Sequence, residues 1–370
     1  MARTVVITGG GTGGHVFPMQ AIAEQLEARG WTPDELRYVG SAHGQDRRLL
    51  GDGAIPLTTL PGRGLRRSLR PHDLVANAAA VVGLVTALIR AVASLKKWRP
   101  SAVVSVGGYA AFAVDAAAVF WRVPLVLVNF DAVPGAVHRL FARFAAATCV
   151  AFGEDAPGVR VTGTPLRASI EALERDDPSR ARAKSRVTPP IADGRWVVVV
   201  MTGSLGSTRV NRAVSDLARR WSTRADVTLV HVTGRRDFDE VRAATPELAG
   251  LDYRIEDFAD MTTLWAVADV AVCRAGAITV GELTALAIPS LLVPLPGAPG
   301  DHQGHNARRM SEAGAAVVLP DAQCTGATLA AHLEPLLDRK RLAAMSAAAA
   351  TLARPRAAEA IARVIADVAS

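Results

Sequence analysis

The sequence predicts an α/β protein of two Rossmann-like domains, each a parallel sheet wound with helices, with glycine loops at the strand ends facing a cleft. Three observations carry this. Short β-branched runs alternate with longer Ala/Leu-rich runs, the pattern of parallel strands joined by helices. The first apolar run, Val5-Val6-Ile7, stops at Thr8-Gly9-Gly10-Gly11-Thr12-Gly13-Gly14-His15 and restarts as a helical segment. The second half opens the same way, with a strand over 196–201, the turn Thr202-Gly203-Ser204-Leu205-Gly206-Ser207 and a helix over 209–220. At 370 residues, half of them hydrophobic, the chain can bury two cores.

In chain order, strands are expected at 4–8, 36–39, 102–106, 125–128 and 147–150. Charged residues and prolines crowd together over 171–195, which reads as a solvated connector and puts the domain boundary near 163–171. Further strands are expected at 196–201, 227–232, 253–255, 270–273 and 290–293, and the Ala-rich tail over 329–370 reads as helices broken near Pro355.

Residues 74–89 carry no charge between basic flanks (Arg66, Arg67 and Arg70 before, Arg90, Lys96, Lys97 and Arg99 after), short and Ala/Gly-rich for a spanning helix. Two readings stay open: a buried helix with solvated ends, or a surface docking on an anionic leaflet.

A net charge of +7 favours an acidic partner: a phosphorylated substrate, an anionic membrane surface or nucleic acid. Aromatics at 5% and the lack of zinc-finger spacing count against nucleic acid. Cys149, Cys273 and Cys324 are odd in number and far apart, which suggests buried thiols in a reducing compartment. The first strand begins almost at once, leaving no room for a signal peptide, and a cytoplasmic protein is expected.

A strand that ends in glycines and restarts as a helix leaves unpaired N–H groups at the positive end of the helix dipole, which suits a phosphate. Gly9, Gly11 and Gly14 also satisfy the dinucleotide-binding G-x-G-x-x-G. The second strand, however, ends in Gly40-Ser41-Ala42-His43 with no acid before Asp46 to take a ribose. No Gly-Lys-Ser/Thr follows the glycines, which disfavours a P-loop. His15, directly after them, is either a helix-start residue or a general base beside a bound anion, the second being favoured.

Ser105-Val106-Gly107-Gly108-Tyr109 forms a second glycine loop. After the strand over 270–273, the segment Arg274 to Glu282 offers loop amides for a diphosphate and, in Glu282, a carboxylate for two ribose hydroxyls. Asp301-His302-Gln303-Gly304-His305-Asn306 reads as a loop suited to sugar hydroxyls. Asp237-Phe238-Asp239 has a metal-holding D-x-D form, but helix N-capping explains it better. His302 and His305 lack a third ligand, so no metal is expected.

Gly10 to Pro18, Gly64-Leu65-Arg66-Arg67, Val106-Gly107-Gly108-Tyr109, Gly163-Thr164-Pro165-Leu166-Arg167, Arg274 to Glu282 and Asp301 to Ala307 together resemble the MurG family, the UDP-N-acetylglucosamine transferases that convert lipid I to lipid II in peptidoglycan synthesis. The resemblance spans nearly the whole chain. It implies a metal-independent inverting GT-B glycosyltransferase of family 28, cytoplasmic and peripheral on the inner face of the cell membrane, needing no cofactor. It also implies an acceptor and membrane-binding domain over 1–165, a UDP-sugar domain over 166–352 and a C-terminal helix over 353–370 packing back on the first domain.

By this resemblance His15 is the base and Arg167 stabilises the leaving group. The donor, UDP-N-acetylglucosamine, meets Thr12, Asp131, Arg167, Ser204, Phe258, Ala259, Met261, Ala277, Ile278, Thr279, Glu282 and Gln303. A polyprenyl-diphosphate-linked acceptor lies on Gly13, Gly14, Gly107, Gly108 and Tyr109. The stretch from Leu65 onward meets an anionic inner-membrane surface, and no nucleic acid is bound.

Three segments depart from the family pattern. Val128-Asn129-Phe130-Asp131 replaces His-Glu-Gln-Asn, residues 202–207 lose the Gln of Gly-Gly-Ser-Gln-Gly-Ala, and Gly163 to Arg167 replaces Gly-Asn-Pro-Val-Arg. Asp131 and Leu205 favour a rival, a related transferase with another lipid or secondary-metabolite acceptor. A UDP-sugar 2-epimerase and a non-catalytic UDP-sugar-binding protein are further alternatives.

Overall fold

Two sheets, each entirely parallel, organise the chain. The computed structural model describes residues 3–11, 13–43, 45–61, 71–203, 206–246 and 248–370, with the side chains of 71–79 excluded. One compact unit comprises residues 1–167 with 356–370, and the other residues 168–355. The sequence-based boundaries lie two to three residues away, at 165/166 and 352/353.

The N-terminal unit holds β1 (Val5–Thr8), β2 (Leu36–Ser41), β3 (Leu57–Leu60), β4 (Ala102–Ser105), β5 (Leu125–Asn129), β6 (Ala147–Val150) and β7 (Val159–Val161), in the order β3-β2-β1-β4-β5-β6-β7. The C-terminal unit holds β8 (Trp196–Met201), β9 (Val227–Val232), β10 (Asp252–Glu256), β11 (Val270–Cys273), β12 (Ser290–Leu292) and β13 (Ala316–Val318), in the order β10-β9-β8-β11-β12-β13. Runs such as Val5-Val6-Ile7 and Val197 to Val200 are fully buried, as central strands covered by helices on both faces require.

Each sheet reverses its winding once, between β1 and β4 in the first unit and between β8 and β11 in the second. Ligands of open parallel sheets bind beyond the strand ends at such reversals. The sequence places its glycine turns there, after β1 and β4 and after β8 and β11.

The helix Ala357–Ala369 packs on the helix Gly13–Ala28 within the N-terminal unit, through buried Ala358, Ile361 and Ile365. All three cysteines are free and buried.

Three expectations need correction. The edge strands β3, β7 and β13 were not foreseen. The connector over 171–195 is exposed or half-buried at all but Ile191, as expected, yet it is ordered: it forms the helix Asp177–Arg186, packed against the helix Met261–Val267. Arg175 donates to the Leu286, Trp265 and Ala268 carbonyls, while Arg180 and Lys184 pair with Asp269. Burial brings the Arg175 pKa down to about 9.

Residues 74–89 belong to the 28-residue helix Pro71–Trp98. Its Ala80, Ala87, Ala91 and Leu95 are buried, while Val81, Val82, Val85 and Ile89 are exposed, so the buried-helix reading holds for one face only.

Candidate functional site

In the N-terminal unit the glycine turns after β1 and β4 touch. A Cβ on Gly9 would lie 2.3 Å from Val106 Cγ2, so only glycine lets the two strand ends approach this closely. Gly13 and Gly14 open the helix Gly13–Ala28, where first-turn N–H groups lack intrahelical acceptors. His15 lies in that turn, half-buried, its ring centroid 6.1 Å from that of Phe130.

Gly107 and Gly108 have φ of +85° and +83°, and a histidine ring flanks each. A Cβ on Gly108 would lie 3.2 Å from His15 Nε2, and one on Gly107 3.2 Å from His138 Nε2. His138 is buried, its Nε2 has no partner, and a hydrogen bond joins the ring to the Ser105 backbone. Burial, reinforced by repulsion from His15, pushes its pKa down to about 4. Beneath the turn the Ser105 hydroxyl donates to Asp115 at 2.9 Å, and burial pushes that carboxyl up to about 8. Neither His138 nor Asp115 stood out in the sequence, because each lies in a mainly apolar helix with no motif around it.

Arg167 ends the N-terminal unit, its guanidinium 4.6 Å from the Phe17 ring centroid. It therefore belongs to the unit that carries His15, not to the one that carries Glu282. Asp131 and Tyr109 are half-buried, and the Asn129 side chain donates to the Asp131 carbonyl at 2.9 Å. Thr12, Ser204, Leu205 and the 64–67 motif lie outside the described residues.

In the C-terminal unit the helix Ala277–Ala285 starts beyond β11 with Gly276 at its N-cap and no side-chain cap, so its first-turn amides, Ala277 to Thr279, have no capping side chain. Glu282 lies inside this helix and is buried, and its Oε2 accepts the Trp265 indole N–H at 2.9 Å. Trp265 was missed; the sequence signal was a Trp one turn beyond Met261.

Phe258 is exposed and Ala259 half-buried, just before the helix Met261–Val267, which Asp260 caps. Gln303 lies in the first turn of the helix His302–Glu312 and not in a loop as expected, its Oε1 accepting the Leu295 N–H at 3.0 Å. Arg274 ties the turns together, donating to Ser207 Oγ at 2.7 Å and to the Val293 and Pro294 carbonyls.

The D-x-D expectation is half right. Asp237 occupies an N-cap position but makes no cap bond; its carboxylate takes Thr208 Oγ1, Asn211 Nδ2 and Arg236. Among the described residues no three His, Cys, Asp or Glu side chains cluster to hold a metal ion.

Two doubly wound units carry glycine turns at the switch points where sheets of this kind bind ligands, an architecture that nucleotide-sugar glycosyltransferases share. The chain belongs to glycosyltransferase family 28: the family's N-terminal domain matches residues 5–150 and its C-terminal domain residues 197–361.

A relative from Desulforudis audaxviator, named UDP-N-acetylglucosamine--N-acetylmuramyl-(pentapeptide) pyrophosphoryl-undecaprenol N-acetylglucosamine transferase, is 35% identical over 98% of this chain and 97% of its own. A relative of the same name from Alkalilimnicola ehrlichii is 37% identical over 98% of each. Among solved structures, Acinetobacter baumannii MurG superposes with a TM-score of 0.76 at 26% identity, covering 98% of this chain and 99% of that one.

Proposed function

We propose that this protein transfers N-acetylglucosamine from UDP-N-acetylglucosamine to the muramoyl-peptide lipid diphosphate, forming the lipid-linked disaccharide of peptidoglycan synthesis. The observation that carries the reading is end-to-end similarity, at 35–37% identity, to transferases named for this reaction. The glycine turns, His15 and Glu282 of both units support it.

The C-terminal unit binds the donor. Phe258, Ala259 and Met261 border the uracil, Glu282 takes the ribose hydroxyls while Trp265 holds it in place, and the amides of Ala277 to Thr279 meet the diphosphate. Gln303 contacts the sugar. The N-terminal unit binds the acceptor diphosphate on Gly13, Gly14, Gly107, Gly108 and Tyr109.

His15 takes the proton of the acceptor hydroxyl as its oxygen bonds to the sugar C1. The bond from C1 to the diphosphate oxygen breaks, its electron pair leaves with UDP, and the configuration at C1 inverts. Arg167 and the backbone amides stabilise that charge, so the transfer needs no metal and no cofactor.

The protein works on an anionic membrane surface. Val81, Val82, Val85 and Ile89 are exposed on the helix Pro71–Trp98, as are Phe120 and Trp121 on the helix Ala111–Trp121 packed beside it. The Lys96 ammonium lies 5.9 Å from the Trp121 ring, and Arg90 and Lys97 are exposed nearby along the helix. An apolar patch rimmed by cations suits acyl chains below acidic headgroups. Among the described residues no helix is long and apolar enough to cross a membrane.

The test is transfer of labelled N-acetylglucosamine to a short-chain lipid I analogue, with and without EDTA, and with His15→Ala as control. Transfer that resists EDTA and disappears in the control is expected. UDP binding without transfer would favour a transferase acting on a different acceptor, the reading Asp131 supports.

A further inference from the structure

The glycine turn after β1 encloses an acidic side chain that the proposed chemistry leaves unused. Asp46 opens the helix Asp46–Leu50 beyond β2 and is fully buried. Its Oδ2 accepts the Gly11 N–H at 2.8 Å, whereas Oδ1 is buried with no hydrogen-bond partner. A Cβ on Gly10 would lie 1.9 Å from Oδ1, and one on Gly40 2.5 Å from it. Both glycines are therefore cleared for this carboxylate rather than for a ligand. An unmatched buried carboxylate oxygen such as Oδ1 is costly, while Oδ2 takes from the turn an N–H that a phosphate would otherwise take.

We propose that Asp46 is a positioning residue that divides the turn: it closes the Gly10–Gly11 half to anions and confines the acceptor diphosphate to the helix-start amides at Gly13 and Gly14 and to Gly107 and Gly108, beside His15. The inference rests on the acceptor reading of the N-terminal unit. The carboxylate repels a diphosphate that drifts toward Gly10, so the bound acceptor has one position and its hydroxyl one approach to the base.

The test measures binding of inorganic pyrophosphate to the full chain, with the donor site saturated by UDP, for wild type and Asp46→Asn. Transfer kinetics accompany it. Removing the charge while keeping the shape should tighten pyrophosphate binding about fivefold. It should also lower kcat about tenfold, because the diphosphate is no longer repelled from the Gly10 side and loses its single position.

UDP affinity should not change. Asp46→Ser removes the same charge with less bulk and carries the test where the Asn variant lacks a cooperative melt. Pyrophosphate binding that is unchanged, weakened or absent in both proteins would overturn the proposal, since a merely structural Asp46 predicts no gain. Failure of the wild type to transfer sugar to any lipid-linked acceptor would instead overturn the acceptor reading, while the pyrophosphate comparison still decides what Asp46 does.

Discussion

The two units use one device, a pair of turns at the switch point of a parallel sheet, and surround it with opposite kinds of polar group. Around the N-terminal turns lie two histidines and two buried carboxylates, and Asp46, Asp115 and His138 each keep a buried atom without a partner. Around the C-terminal turns most of the groups named above are matched, Glu282 to Trp265, Arg274 to Ser207 and two carbonyls, and Asn306 to the Ala275 carbonyl at 3.0 Å, while Thr202 Oγ1 is buried without a partner. Matched networks hold a shape, whereas unmatched buried groups cost stability. The difference accords with the proposed division, in which the first unit handles the proton and the second recognises the nucleotide.

His15→Ala tests that division most severely. Loss of a general base should lower kcat by roughly a thousandfold while UDP affinity, measured by titration, stays put. Equal weakening of UDP binding would place His15 on the donor and break the comparison. Glu282→Ala should do the converse, weakening UDP binding by roughly thirtyfold with kcat at saturating donor nearly unchanged. Trp265→Phe keeps the ring and removes only the indole N–H, so it should weaken UDP binding by about fivefold. A loss as large as that of Glu282→Ala would mean the indole does more than hold the carboxylate.

The same contrast explains what the sequence could reveal. Central strands such as Val5–Thr8 and Trp196–Met201 announce themselves because burial on both faces demands continuous apolar runs. The edge strands Leu57–Leu60, Val159–Val161 and Ala316–Val318 carry only three or four residues each, and pairing with a neighbour decides them more than propensity does.

The glycine turns and His15 were legible because backbone conformation at a strand end restricts residue type locally. Asp46, thirty-five residues from Gly11, and Trp265, seventeen from Glu282, were not, because only the fold brings the partners together. Arg175 and Arg180 looked like solvent-facing charges because sequence cannot show which carbonyls at a helix end need donors.

The smallest effect expected lies in the pH dependence of stability. Asp115 keeps its proton in the folded state up to about pH 8, whereas unfolded it loses it near 3.8. Over that window the unfolded chain binds fewer protons, so Asp115 makes stability fall as pH rises. His138 acts oppositely: its folded pKa of about 4 lies below the unfolded 6.5, so its contribution is complete above 6.5 and lost as pH falls toward 4.

His231 of the C-terminal unit, lowered by burial to about 3, acts as His138 does, so between about 4 and 6.5 two rising slopes oppose the single falling one and stability rises before it declines toward pH 8. Asp115→Asn keeps the shape of the protonated acid and removes its titration. The melting temperature should then rise with pH to about 6.5 and level off, exceeding wild type by about 5 °C at pH 8. Melting curves of wild type and variant across this range check it. A difference that does not grow with pH would mean that Asp115 remains ionised beneath the turn and that the N-terminal unit is no less matched than its counterpart.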